Sequence, residues 1–171
     1  MNVRSRPITD KYFRYVISWL LFGVAGGLLF WQWGWYFALI CILTAFVLTF
    51  GVDYLFRFIV KQKVRAMVKE EPVLITDAVR LRLERRGFLV ITEKFVLFVP
   101  VFRKIKTVIE ADQIVRYEVE GLIVEITAKF PNQYRTFSFQ VLSPNKVLAN
   151  LQVMSGESMP YKHEKLENNS L

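Results

Sequence analysis

The chain has 171 residues, is 53% hydrophobic and carries a formal net charge of +8 at pH 7. That length accommodates a pair of membrane helices plus one small soluble domain. A single cysteine and a single histidine exclude an intrachain disulfide and leave no zinc site, Cys–His pair or Ser–His–Asp triad to be built from one copy.

Residues 1–14 form a basic N-terminus, with Arg4, Arg6, Lys11 and Arg14 against one acid, Asp10. A basic start before an apolar run also opens a signal peptide. Here no small-x-small cleavage site follows and a second apolar run comes almost at once, so the segment reads as an anchor.

The 38 residues from Tyr15 to Val52 contain no Asp, Glu, Lys or Arg. As one straight helix they would far exceed the ~30 Å hydrocarbon core of a bilayer at ~1.5 Å per residue. The run is interrupted at Trp31-Gln-Trp-Gly-Trp35, where a fold-back needs a break. Residues 15–56 therefore read as a two-span hairpin, Tyr15–Phe30 and Trp35–Phe56. Basic residues flank both outer ends and the connecting turn has none, which places both termini on the cytoplasmic side. Trp31, Trp33, Trp35 and Tyr36 then lie at the opposite interface. Gly23 and Gly27 share one face of the first span, a spacing that permits close helix packing against the second span or another copy. Asp53 is the one acid near the hydrocarbon. Arg57 lies one turn later and Arg14 at similar depth on the first span, so the three read as an interfacial ion pair rather than a proton relay. Cys41 lies within the second span, which fits a soluble part in a reducing compartment.

Residues 57–71 form a basic connector. Val60, Val64, Met67 and Val68 recur at helical spacing among Lys61, Lys63, Arg65 and Lys69. The expectation is an amphipathic helix along the headgroups, drawn to anionic lipid and stopped by Pro72.

From Val73 the period changes to that of strands. Val79-Arg-Leu-Arg-Leu-Glu84 alternates, with Val79, Leu81 and Leu83 expected on the apolar face and Arg80, Arg82 and Glu84 on the other. Arg85-Arg86-Gly87 reads as a tight turn. Strands follow at Phe88–Thr92, Phe95–Val101, Thr107–Glu110, Ile114–Val119, Leu122–Ala128 and Tyr134–Val141. Ser143-Pro144 starts a closing helix whose stripe is Val147, Leu148 and Leu151. The tail, residues 155–171, is polar and reads as disordered.

Within residues 72–154, Gly87-Phe-Leu-Val-Ile-Thr92 followed by Val96-Leu-Phe-Val-Pro100 resembles the core of GRAM and bacterial pleckstrin-homology-like (PH-like) domains. Ile109-Glu-Ala-Asp-Gln-Ile114 and Phe137-Ser-Phe139 before a capped helix resemble two further segments of that family. The resemblance implies a membrane-anchored α+β protein. Its N-terminal transmembrane hairpin would precede a PH-like half-open antiparallel β-barrel of about seven strands, plugged by a C-terminal helix. It also implies a bacterial cytoplasmic membrane, since two spans before such a domain is an arrangement familiar there. The family's frequent C-terminal tryptophan is absent, and Leu148 or Leu151 takes its place. The spaced basics of phosphoinositide binders are reduced to Arg85 and Arg86, with Arg80, Arg82 and Lys94 around them.

Arg85 and Arg86 in the first hairpin, and Arg103, Lys104 and Lys106 after the third strand, are expected at one open end. There they could hold an anionic ligand through charge-assisted hydrogen bonds. The plainer reading is a solvated face balancing Glu110, Asp112, Glu118 and Glu120. Phe102 is either an interfacial wedge or, as is commoner at a strand end, core. No acid–base pair and no phosphate-cradling glycine loop is recognisable, so neither catalysis nor a cofactor or metal is expected. Tyr117, Tyr134 and Phe139 do not interleave with bases, so nucleic acid is not expected as a partner. The expectation is a non-enzymatic membrane module that binds an anionic lipid, a peptide or a membrane protein. The alternative is a structural or regulatory subunit assembled through its hairpin, with a membrane-protein partner or as a homo-oligomer.

Overall fold

The computed structural model describes residues 6–81 and 85–155, with side chains from Tyr12 onward except that of Arg85. Arg4, Arg82, Leu83, Glu84, His163 and the rest of the tail after Ser155 lie outside the described residues, as do the side chains of Arg6 and Lys11.

Two long apolar helices lead the chain, Tyr12–Trp33 and Trp35–Val68, each long and apolar enough to cross a membrane. The first is built from α1 (Arg6–Ser18), a π-helical stretch (Trp19–Gly26), α2 (Gly27–Phe30) and a 3-10 turn (Trp31–Trp33). The second is α3 (Trp35–Phe46), a π-helical stretch (Val47–Gly51) and α4 (Val52–Val68). The break falls at Gly34, whose φ of 139° favours glycine; a Cβ there would also sit 2.7 Å from the Tyr36 ring.

The seam between these helices is made of small residues. Ser18 and Gly26 on the first helix and Ala38, Ala45 and Thr49 on the second are buried, and a Cβ on Gly26 would lie 3.2 Å from the Cys41 sulfur. Close backbone approach of this kind is how apolar helices gain packing energy in an apolar solvent. Gly23 and Gly27, both half-buried, do not point a Cβ position at the second helix in the way Gly26 does. A Cβ on Gly23 would first meet the Trp19 ring of its own helix, at 2.8 Å, and one on Gly27 would meet nothing within 4 Å.

α4 ends at Val68, capped by Lys69 in the left-handed conformation, whose N–H bonds to the Arg65 carbonyl. The helix thus ends four positions before Pro72, at a left-handed cap. Seven antiparallel strands follow: β1 (Leu74–Arg80), β2 (Arg85–Ile91), β3 (Phe95–Val99), β4 (Thr107–Glu110), β5 (Ile114–Glu120), β6 (Ile123–Phe130) and β7 (Gln133–Val141). They pair in the order β4-β3-β2-β1-β7-β6-β5, and α5 (Pro144–Ser155) closes the described chain. β3 and β7 stand three places apart, which in a flat sheet means about 14 Å at ~4.8 Å per step. Yet the Phe98 and Phe139 rings stack at 5.7 Å, so the open sheet curls over its inner face. That face, with Val147 and Leu151 of α5, forms the main core.

The first strand differs from the alternation expected of it. It runs Leu74–Arg80, five residues ahead of Val79–Glu84, and Arg85-Arg86-Gly87 belong to β2 rather than to a turn. Leu74 and Ala78 face the inner core and Arg80 continues their parity, so the inner face is the one that carries the arginine. Gly87 is required by close approach instead of by turning: a Cβ on it would lie 2.6 Å from the Val99 carbonyl oxygen.

A second core lies on the opposite face of β2, β3 and β4. Val60 and Val64 of α4 are fully buried there among Phe88, Val90, Leu97 and Val99, with Phe56 and Val68 packed alongside. Three of the four stripe residues of 57–71, Val60, Val64 and Val68, therefore face the sheet, while Met67 is exposed. The sheet offers these three a larger, better-matched apolar surface than an interface that is half water.

Candidate functional site

The stretch of interest is the β3–β4 loop, Pro100 to Lys106, and the helix that holds it. Three interactions fix it. Val101 and Ile105 pack against the α4 core. The Lys63 ammonium donates to the Val101 carbonyl and lies 3.3 Å and 3.4 Å from those of Arg103 and Pro100. The Phe102 ring meets the Phe56 ring edge-on, centroids 5.7 Å apart. An ammonium has three donors and no acceptor, so a cluster of converging carbonyls suits it well. Phe102 is nonetheless 85% exposed, so it is not core.

Register brings the basic residues to this end of the sheet. Phe88 pairs with Val99 and Gly87 abuts Pro100, so Arg86 follows on beside Val101. Arg85 pairs with Arg80 across the β1–β2 ladder. The backbone thus gathers Arg85, Arg86, Arg103, Lys104 and Lys106 at one end. Arg86, Arg103, Lys104 and Lys106 are exposed there, and the Arg85 side chain lies outside the described residues.

Arg80 was not singled out as a site residue by sequence. Its guanidinium lies 5.1 Å from the Phe137 ring centroid and donates to Thr107 Oγ1 at 2.7 Å. It thereby ties β1 to β4 and roofs the inner core by cation–π contact. A cavity of about 510 Å³ opens beside it, lined also by Tyr134, Arg135, Thr136 and Ser138. The signal was present in the parity of Leu74, Thr76, Ala78 and Arg80, once the strand is started at Leu74.

At the foot of the hairpin, Asp53 accepts from Arg14 through one carboxylate oxygen and from the Tyr15 hydroxyl through the other. The pair joins the two long helices, and Arg57 is exposed and makes no described ion pair with Asp53. Tyr15 takes the place foreseen for it, and it is a residue that sequence reading passed over.

Beyond α4, Glu71 pairs with Arg65 and lies 3.9 Å from Lys61. The hydrogen bond from Arg65, helped by the charges of Arg65 and Lys61, holds its carboxyl below the usual range. Among the described residues no three His, Cys, Asp or Glu side chains gather as a metal site. Tyr117 and Phe139 are buried in the core while Tyr134 is exposed, so the three do not form one stacking surface.

No family model matches the chain, and no curated protein matches it significantly. Among solved structures, the crystal structure of the C-terminal domain of an unknown protein from Leishmania infantum is similar at a TM-score of 0.47 and 15% identity. The match covers 62% of this chain and 99% of that one.

Proposed function

We propose that this chain is a non-enzymatic, membrane-anchored interaction module. Its hairpin spans a bacterial cytoplasmic membrane with both termini inside. A PH-like half-open barrel, plugged by α5, is held against the inner leaflet, where its basic end takes an anionic headgroup. One observation carries the reading: the second apolar helix runs without a break from Trp35 to Val68 and buries its last turns in the sheet. A span and a domain that share a helix and a core cannot drift apart as they would on a flexible linker. Support also comes from exposure. Only 11% and 17% of the two apolar windows are buried within the molecule, whereas the core helix of a soluble domain is covered by its neighbours.

The test uses the full chain. Protein reconstituted in bilayers containing phosphatidylglycerol is released and its bound lipid read by native mass spectrometry. Wild type should retain anionic lipid, and the R85E/R86E/R103E/K104E variant should lose it. Equal retention leaves the basic end as a solvated face. Topology is read separately: cysteines placed at Trp33 and at the C-terminus should label from opposite sides of the membrane.

A second reading, a subunit assembled through the hairpin, is favoured by the open side of Gly27. Crosslinking in native membranes should then trap a species larger than the monomer.

A further inference from the structure

The following deepens the reading above and rests on the hairpin spanning a bilayer. We infer that the β3–β4 loop is a second membrane contact. Phe102 wedges into the boundary between headgroups and acyl chains on the cytoplasmic side, and Arg103 and Lys104 engage lipid phosphates beside it.

Depth is the first argument. A hydrocarbon core of ~30 Å takes ~20 residues of helix at ~1.5 Å each. Counted from Trp35 at the far interface, it ends near Leu55, and a tilt moves that point slightly later. Helical side chains lean toward the N-terminus, so Phe56 leans back toward the hydrocarbon. The Phe102 ring touches the Phe56 ring and therefore lies at the same boundary. Asp53, bonded to Arg14 and Tyr15 one turn nearer the far side, marks the level at which polar groups begin.

Rigidity is the second. Val101 and Ile105 on either side are packed into the α4 core, and Lys63 holds the loop carbonyls. The ring is presented outward at 85% exposure by a loop that is already ordered, so insertion need not carry an ordering cost. Charge is the third. Pro100–Thr107 holds three bases and no acid, the composition that an anionic leaflet attracts. A free phosphate would use the bases but leave the ring in water. A leaflet uses both, in the manner of amphipathic elements that lie in the interface.

The experiment uses full-length protein in nanodiscs on a Cys41→Ala background, with the environment-sensitive fluorophore NBD on single cysteines. Phe102→Cys carries the test. Val153→Cys on α5, where Val153 is 89% exposed, is the aqueous reference, and Leu43→Cys, where Leu43 is 62% exposed, is the reference inside the span. In discs of phosphatidylcholine with phosphatidylglycerol, the label at 102 should be blue-shifted and quenched at least two-fold by lipid carrying a doxyl group high on its acyl chain. Aqueous iodide should quench it less than the label at 153. Inorganic phosphate at millimolar concentration should change neither result beyond chloride of equal ionic strength. Iodide quenching at 102 equal to that at 153, without doxyl quenching, overturns the inference. So does specific displacement by phosphate, which would make the loop a soluble-anion site. If the label at 43 is quenched by doxyl lipid and the label at 102 is not, the inference fails while the spanning hairpin stands. If neither is quenched, both fail.

Discussion

Val64→Ala is the substitution that bears most directly on how the second long helix and the sheet are joined. Val64 is fully buried between α4 and the outer face of β2 and β3. The change removes two carbons, worth ~0.8 kcal/mol each in transfer alone. The cavity left between two packed elements raises the cost to roughly 2–3 kcal/mol. For a domain of this size about 1 kcal/mol shifts the melting temperature by ~4–8 °C, so a fall of roughly 10–20 °C is expected in the transition of the sheet. Met67→Ala on the same helix is the control, because Met67 is 50% exposed and should shift it little. The assay is thermal unfolding of full-length protein in detergent, paired with amide hydrogen exchange. Exchange should quicken at Phe88–Ile91 and Phe95–Val99, the strands beneath the helix, more than at β5 or β6. If Val64→Ala left both the transition and that protection unchanged, or if Met67→Ala did equal damage, α4 would be lying on lipid and the rigid joint would be wrong.

Two further outcomes follow from the same geometry. Gly87→Ala would place a Cβ 2.6 Å from the Val99 carbonyl and 3.1 Å from the Pro100 Cα, both backbone atoms that cannot swing aside. A loss of ~1–3 kcal/mol in denaturant unfolding is expected, and wild-type stability in the variant would show that β2 and β3 are not so closely set. Glu71, whose carboxyl is depressed chiefly by its hydrogen bond from Arg65, should titrate below the ordinary glutamate range by NMR. A depressed acid stabilises the folded form above its unfolded pKa and loses that contribution as pH falls through the folded one. The tie between α4 and the residues after it should therefore weaken only in acid, and Arg65→Gln should move the Glu71 midpoint upward. An unmoved midpoint would mean that the pair does not form in solution.

The hairpin was readable because its determinants are local. A charge-free run of fixed length, one glycine at the fold-back and two opposite charges at matched depth define Gly34 as the break and Asp53–Arg14 as a pair. The sequence of turns at Thr92–Lys94, Gly121 and Pro131-Asn132 likewise set six of the seven strands to within three residues. The first strand is hard to place because Val79 to Glu84 alternates strictly in sequence whereas Leu74 to Arg80, Leu-Ile-Thr-Asp-Ala-Val-Arg, does not. Alternation gives the period of a strand but not which parity turns inward, and Arg80 faces in because Phe137 and Thr107 receive it. Likewise, a search for glycines alone passed over Ala38, Cys41, Ala45 and Thr49, whose 3-4-4 spacing lays a stripe of small residues down one helix face.

The placement of α4 shows a different gap, and one that the sequence itself can close. A valine stripe looks the same whether it meets lipid or protein, so the stripe on residues 57–71 decides nothing alone. The decisive residues are on the other side of the contact. Phe88-Leu-Val-Ile91 and Phe95-Val-Leu-Phe-Val99 do not alternate at all. Leu89, Ile91, Val96 and Phe98 turn to the inner core, while Phe88, Val90, Leu97 and Val99 turn to the outer. Strands apolar at both parities must be covered on both faces, as in sheets flanked by helices on each side. With α5 and the curl of the sheet covering one face, the other needs its own helix, and among the described residues the amphipathic segment left to supply it is the one that continues the second long apolar helix. The same residues that give the sheet a second face therefore dictate that the second long helix ends inside the domain. That junction is what brings Phe102 and its neighbouring basic residues beside Phe56.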